Sequence, residues 1–379
     1  MLVILFWIAI FFTLYSYFIY PIALKLIVFW GGGSRKQVKS STSVNISLLI
    51  TAYNEKDRIG KKLENTLKLE YDHGSLEVIV ASDCSDDGTD NIVRTYEDRG
   101  VSLVRAAKRL GKENAQLAAI KVAQGEILVF SDTATDIPPD ALNKLAAYFS
   151  DESIGAVSSE DRFVAQDGSL PGEGAYVKYE MWLRQQESRL AGLVGLSGSF
   201  FAARKEVCQE WDIHSPSDFN TALNSVRLGY KAITAPDVLG YYQDLKDSSK
   251  EYSRKIRTVI RGMTALRRHP GVLDPNKYGL FSFQVWSHKL MRWLVPWSLL
   301  VLFVVSAFIS GEGQLYQLAL LVQIVFYGIA IAAHFNSSLL RYGVVKLIYF
   351  FVQVNIALFD ASIKFFSGTR MTTWKPSAR

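Results

Sequence analysis

The chain has 379 residues, of which 49% are hydrophobic, 13% aromatic and 21% charged; 42 Lys and Arg stand against 36 Asp and Glu, for a formal net charge of +6. This composition excludes a disordered or fibrous chain, and a mean hydropathy of +0.11 beside so many charges requires a membrane part and a soluble part segregated along the sequence. Two cysteines, Cys84 and Cys208, are too few for a disulfide framework and lack metal-ligand spacing, which points to a reducing compartment.

Residues 1–30 are almost wholly apolar, with Lys25 the only charge, and exceed the roughly 20 residues that a hydrocarbon core requires. No basic stretch precedes the run and no small-residue cleavage site follows it, so the segment reads as a retained transmembrane anchor rather than a removed leader. Residues 31–43, GGGSRKQVKSSTS, read as a flexible linker whose Arg35, Lys36 and Lys39 place the following chain in the cytoplasm by the positive-inside rule.

From 44 to 270 short β-branched runs alternate with helical periodicity. Strands are expected at Val44–Ile50, Leu76–Ala81, Val101–Val104, Glu126–Phe130 and Gly155–Ser158, and helices at Arg58–Leu69, Asp90–Tyr96 and Glu113–Ala123. This order predicts an α/β domain with a mostly parallel sheet covered on both faces, whose ligands bind at the carboxyl ends of the strands. Beyond it, Phe283, Trp286, Leu290, Trp293 and Trp297 recur at helical spacing with His288, Lys289 and Arg292 interleaved, so residues 271–293 read as an interfacial amphipathic helix. Residues 294–366 read as a membrane region of two to three spans. Leu294–Ser310 and Leu315–Ala333 cross, whereas Val344–Phe366, interrupted by Lys346, Gln353, Asn355, Asp360 and Lys364, either crosses or lies along the surface. Residues 367–379 form a tail.

Chemistry concentrates in the loops after the first, second and fourth strands. Thr51-Ala52-Tyr53-Asn54-Glu55 can offer backbone N–H groups and an aromatic face to a nucleotide, with Glu55 able to hold a ribose or base donor. In Ser82-Asp83-Cys84-Ser85-Asp86-Asp87-Gly88-Thr89-Asp90, the acid nearest the strand end, Asp83, is the ligand candidate, while Asp86, Asp87 and Asp90 also suit a turn and a helix cap. Arg105, Lys108, Arg109, Gly111 and Lys112 form a basic loop entering a helix, a candidate phosphate cradle. After the fourth strand come Ser131-Asp132-Thr133-Ala134-Thr135-Asp136, where a carboxylate beside a phosphate site is the hard oxygen ligand that Mg²⁺ or Mn²⁺ prefers.

The runs ISLLITAYNE, EVIVASDCSDDGTD and GEILVFSDTATDIPPDAL, with Gly111-Lys112 between the last two, together resemble the donor-binding half of the family 2 glycosyltransferases. Gly195–Lys205 is similar to that family's Gly-containing strand before the acceptor site. Pro216-Ser217-Asp218-Phe219 occupies the place of the acidic motif of cellulose, chitin and hyaluronan synthases, and Arg254-Lys255-Ile256-Arg257-Thr258 the place of their Gln-x-x-Arg-Trp. The resemblance covers 44–269. It implies a glycosyltransferase-A, or nucleotide-diphospho-sugar transferase, fold and an inverting transfer of a sugar from a nucleotide-sugar donor, a UDP-sugar being expected, to a glycan or lipid-linked acceptor at the cytoplasmic face of the inner or plasma membrane. Polysaccharide export or assembly partners are implied as well.

On the same resemblance, Asp218 is the catalytic base, and Ala52, Tyr53, Asn54, Glu55, Asp83, Lys112, Asp132, Arg254 and Arg257 bind the donor. Asp132 and Asp136 hold Mg²⁺ or Mn²⁺. Two departures stand out: Ala134 replaces the second acid of the family's Asp-x-Asp, leaving Asp136 two residues late, and Arg254 and Thr258 replace the Gln and Trp of Gln-x-x-Arg-Trp. The missing Trp favours single or short-chain addition over processive synthesis. Ala134 also keeps open a non-catalytic, glycan-binding scaffold. The basic residues cluster beside the apolar segments, which argues for a lipid bilayer and against nucleic acid.

Overall fold

The computed structural model describes residues 1–31, 43–164, 175–243 and 248–371. Arg35, Lys36 and Lys39 of the expected linker, and the tail beyond residue 371, lie outside the described residues.

The strands are β1 (Ile46–Ala52), β2 (Leu76–Ser82), β3 (Val101–Arg105), β4 (Ile127–Asp132), β5 (Ile154–Val164), β6 (Phe200–Arg204) and β7 (Lys231–Gln243). They form one sheet in the order β3-β2-β1-β4-β6-β5-β7. β1 pairs in parallel with β2 and β4, β2 with β3, and β5 with β7; β6 runs antiparallel to both its neighbours. All seven residues of β1, ISLLITA, are buried, because helices cover the sheet on both sides and leave a continuous apolar strand rather than an alternating one. Leu48 and Ile50 join the core cluster that holds Ile59, Leu63, Leu142 and Leu145, while Leu49 joins the other, with Ala115, Ala119, Phe130, Phe201 and Trp211. In that second layer Phe130 stacks on Phe201 and Trp211 at 4.7 and 5.0 Å between ring centroids.

The topology sets the site. In a parallel arrangement β1, β2, β4 and β5 deliver their carboxyl ends to one edge, and the reversed β6 delivers its amino end there. Residues 52–55, 83, 132, 161 and 197–199 therefore share that edge.

The chain divides into two compact units. The sheet belongs to one, built from Ile27–Ser248, Arg261–Ser282 and Met371–Arg379; the other comprises Met1–Leu26, Ser249–Ile260 and Phe283–Arg370. In the second unit Phe6 and Ala9 pack with Leu302, Val305 and Ile309, and Phe6 meets Tyr316 edge-on at 5.1 Å. Among the described residues four helices are long and apolar enough to cross a membrane: Leu2–Trp30, Leu280–Glu312, Gln314–Phe335 and Gly343–Phe366. The expected interfacial helix and the span after it are one continuous helix in the structure, from Leu280 to Glu312, because no helix-breaking signal separates them and Pro296 is accommodated inside. A π-helical segment, Trp286–Leu290, falls within it, and another, Tyr15–Ile19, falls within the first helix; Tyr15 OH and Ser287 Oγ, 2.9 Å apart, join the two. Of the polar residues that interrupt Gly343–Phe366, Asp360 Oδ2 accepts from Lys364 Nζ at 2.8 Å and Tyr252 OH at 3.2 Å, and Asn355 Nδ2 donates to Phe351 O at 2.9 Å.

Candidate active site

The loops after β1 and β2 are tied into one body. Asn54 and Cys84, each the second residue beyond its strand, take positive φ of 51° and 60°, a conformation that side-chain-bearing residues rarely adopt and that calls for local hydrogen bonds. Those bonds are present: Asn54 Nδ2 donates to Asp86 Oδ1 at 2.7 Å, Asp86 N to Asn54 Oδ1 at 3.0 Å, and Asn54 N to Ser85 Oγ at 3.2 Å. Asp87 accepts from Thr89 N and Lys56 N, and Asp90 accepts from Ser82 Oγ and pairs with Arg105. The side chains of Asn54, Asp86, Asp87 and Asp90 thus serve the architecture of the loops. Glu55 caps the helix Lys56–Thr66 and pairs with Arg58 at 2.7 Å; burial raises its pKa against the opposing pull of Arg58. Tyr53 keeps a half-buried ring, with the Arg109 guanidinium 3.9 Å from its centroid, a planar platform of the kind on which a base can stack.

Asp83 is fully buried and accepts from Gly111 N at 3.0 Å and Leu110 N at 3.2 Å. Burial raises its pKa while these two N–H groups pull it down. Gly111, at φ +111°, can make this approach because it carries no Cβ, and the helix Lys112–Val122 starts immediately after it. Lys112 then reaches across to β4: its Nζ lies 2.5 Å from Asp132 Oδ1 and 2.8 Å from Gly198 O.

Asp218 opens the helix Ser217–Arg227. A Cβ built on Gly198 would stand 3.4 Å from Asp218 Oδ2, so Lys112, Gly198 and Asp218 are neighbours. Among the described residues the Asp218 carboxylate has no hydrogen-bond or ion-pair partner and is half-buried, while its backbone carbonyl accepts from Leu196 N at 3.2 Å. A carboxylate left unengaged among the described residues, near the Lys112–Asp132 pair, can take a proton from an incoming hydroxyl.

Several residues that carry this arrangement have no signature at the level of sequence. Glu113, 1% exposed, pairs with Arg261 at 2.5 Å and accepts from Ser217 N at 3.3 Å, linking the residue after Lys112 to the residue before Asp218. Lys62, 1% exposed, donates from Nζ to Thr135 O at 2.6 Å and so props the turn after Asp132 from beneath. Burial lowers its pKa to about 7. Asp161 accepts from the hydroxyls of Ser197 and Ser199, each at 2.6 Å.

Three expected residues remain. Asp136 pairs with Lys61 at 3.1 Å and exchanges backbone hydrogen bonds with Tyr241 instead of standing free beside Asp132. Arg254 and Arg257 lie on the segment Ser249–Ile260 of the other unit. Among the described residues no three His, Cys, Asp or Glu side chains group as a metal site. Asp132, with 24% of its side chain exposed and Oδ2 left open by Lys112, fits a hard cation held by one protein carboxylate and completed by substrate oxygens and water.

Residues 47–211 match the family model for Glycosyl transferase family 2. Beta-monoglucosyldiacylglycerol synthase of Nostoc sp. is 27% identical over 193 residues, which are 48% of this chain and 41% of that protein; poly-beta-1,6-N-acetyl-D-glucosamine synthase of Staphylococcus aureus is 29% identical over 175 residues, 44% of this chain and 42% of that protein. The match thus spans about two fifths of the length of these curated relatives. Among solved structures, a mannosyltransferase from Pyrobaculum calidifontis, determined with GDP-Man and Mn²⁺, superposes with a TM-score of 0.70 at 23% identity over 96% of this chain and 99% of that one, which identifies the glycosyltransferase-A fold.

Proposed function

We propose, from the premise that residues 47–211 are a family 2 glycosyltransferase domain, that this membrane-associated enzyme moves a sugar from a nucleotide-sugar donor to a glycan or lipid-linked acceptor with inversion at the anomeric carbon. The observation that supports the reading is the chain of contacts Asp132–Lys112–Gly198–Asp218, in which a lysine cation and a carboxylate unengaged among the described residues both approach Gly198. Relatives named for glucosyldiacylglycerol and poly-N-acetylglucosamine synthesis support membrane glycolipid or polysaccharide products. The four apolar helices and the basic residues near them support a multi-pass enzyme whose sheet unit faces the cytoplasm. A UDP-sugar is our first expectation for the donor. GDP-mannose is the second, favoured by the near full-length structural match.

The nucleoside would lie along the ends of β1 and β2, stacked on Tyr53 with Asp83 and Glu55 at its polar rim, and Lys112 would face the diphosphate. Asp132 would hold Mg²⁺ or Mn²⁺, which when bound supplies charge neutralisation to the departing nucleoside diphosphate. Asp218 accepts the proton of the acceptor hydroxyl as its oxygen forms the new bond to the anomeric carbon. The bond from that carbon to the phosphate oxygen breaks on the opposite face, and its electron pair leaves with the diphosphate. Lys112, fixed by Gly198 O, is a preorganised charge that needs no rearrangement during this step.

The test is incubation of the purified full-length protein in nanodiscs with a panel of UDP- and GDP-sugars and Mn²⁺ or Mg²⁺, measuring released nucleoside diphosphate. Release with a clear donor preference is expected. Binding of nucleotide sugars without any turnover would replace the enzyme by the scaffold reading.

A further inference from the structure

The sheet order supplies a ruler for the donor. A nucleotide sugar is a linear ligand, with base and ribose at one end, diphosphate in the middle and sugar at the other. Asp83 follows β2, Tyr53 follows β1 and Asp132 ends β4, consecutive positions in the order β2-β1-β4. Adjacent strands are about 4.8 Å apart, so a donor whose diphosphate faces Asp132 and Lys112 carries its sugar one or two strands further on, over β6 and β5. At that place stand Ser197-Gly198-Ser199, leading into β6, and Asp161 in β5.

Ser197 and Ser199 both donate their hydroxyls to the Asp161 carboxylate, at 2.6 Å, and Ser197 N donates to Ser158 Oγ at 2.7 Å, which in turn accepts from Arg184 at 2.8 Å. Gly198, between the two serines, carries the Lys112 contact on its carbonyl and the approach of Asp218 on its α-carbon, and Ser199 O accepts from Asp132 N at 2.9 Å. One tripeptide therefore fixes the two carboxylates relative to Asp132. They differ in kind: Asp218 is unengaged among the described residues, as a proton acceptor should be, whereas Asp161 is held by two hydroxyls, as a fixed hydrogen-bond acceptor should be. A carboxylate there would repel a diphosphate but accept from the hydroxyls of an uncharged sugar ring.

We propose that Asp161, held by Ser197 and Ser199, is the acceptor for a hydroxyl of the transferred sugar and thereby sets which sugar the enzyme takes. The inference rests on the transferase reading above and adds a residue that no sequence motif marks. The residue as a whole is half-buried; burial pushes its pKa up, with a smaller push from Asp132, while the serine hydroxyls and Arg184 oppose the rise.

The experiment uses the full-length protein in nanodiscs. On the donor that the wild type prefers, and on its epimers at single hydroxyls, kcat and KM are measured for the wild type, Asp161→Asn and Ser199→Ala, together with the inhibition constant of the free nucleoside diphosphate. We expect Asp161→Asn to lower kcat/KM for the preferred donor by about tenfold to a hundredfold, to compress discrimination among epimers, and to leave nucleoside diphosphate inhibition within twofold of wild type. Ser199→Ala keeps the carboxylate and should show the same compression to a smaller degree; it carries the test alone should Asp161→Asn fail to fold. Unchanged epimer discrimination, or a loss of nucleoside diphosphate binding equal to the loss of kcat/KM, would overturn the proposal while leaving the transferase reading intact. A wild type that releases nucleoside diphosphate from no donor would overturn both.

Discussion

The Asp218 carboxylate is valuable because nothing among the described residues holds it, and Asp218→Asn removes its basicity without changing its shape. Turnover should fall by about 10³-fold while donor KM stays within a few-fold of wild type; steady-state kinetics in nanodiscs checks this, and retained activity would remove Asp218 from its role. The Glu113–Arg261 pair makes the opposite kind of demand. Both side chains are buried, at 1% and 9% exposure, so removing one partner strands a charge. Arg261→Met alone should destabilise the protein by about 3–5 kcal/mol, and the double change Glu113→Gln with Arg261→Met should recover most of that loss. Thermal unfolding of the single and double variants decides it, since a double variant no better than the single would mean the pair does not act as a unit.

Elements inherit their precision from such residues. The helix Lys56–Thr66 carries a lysine on its buried face, and Lys62 there loses its proton near pH 7, whereas an unfolded lysine holds it to about 10.5. Between these two values the unfolded chain binds more protons than the folded one, so stability rises with pH. Lys62→Met should flatten this slope between pH 7 and pH 10 relative to wild type. Parallel unfolding curves for the two proteins would mean that Lys62 stays charged when folded. Elements also show what a sequence can reveal. The first four strands and their intervening helices were legible, because each is a short apolar run bounded by turn residues, and Asp83, Asp132 and Asp218 could be placed because they sit at element ends. β7 has no clear strand pattern in the sequence because Pro236 and Gly240 interrupt it; in the structure Pro236 falls where the pairing with β5 shifts register between Ser158 and Glu160, and Gly240 pairs with Asp161 just beyond. Asp161, Glu113 and Lys62 were invisible for another reason: each acts through a partner 36 to 148 residues away, a relation that periodicity does not record.

At the scale of the whole molecule, two units use the chain in alternation, and the four long helices make a membrane-embedded protein the expectation for one of them. The protein should remain in the pellet after alkaline extraction of membranes. With the sheet unit cytoplasmic, a membrane-impermeant thiol reagent should reach Cys84, which is partly exposed, in inverted vesicles but not in right-side-out ones. Labelling from the opposite side would reverse the topology.

The packing of Phe6 and Ala9 against Leu302, Val305 and Ile309 also sets a timetable. During synthesis the first helix leaves the ribosome nearly 300 residues before those partners exist, a wait of roughly 15–60 s at 5–20 residues per second. For that interval a helix long and apolar enough to cross a membrane lacks the partners that cover Phe6 and Ala9 in the folded chain. The strands up to β7 can pair during the same pause, and Arg261, made after β7 but before Leu302, can reach Glu113 within it as well. The chain should therefore mature in instalments: a lone apolar helix, then the sheet, then the Glu113–Arg261 pair, then closure of the helical unit as its last helices arrive.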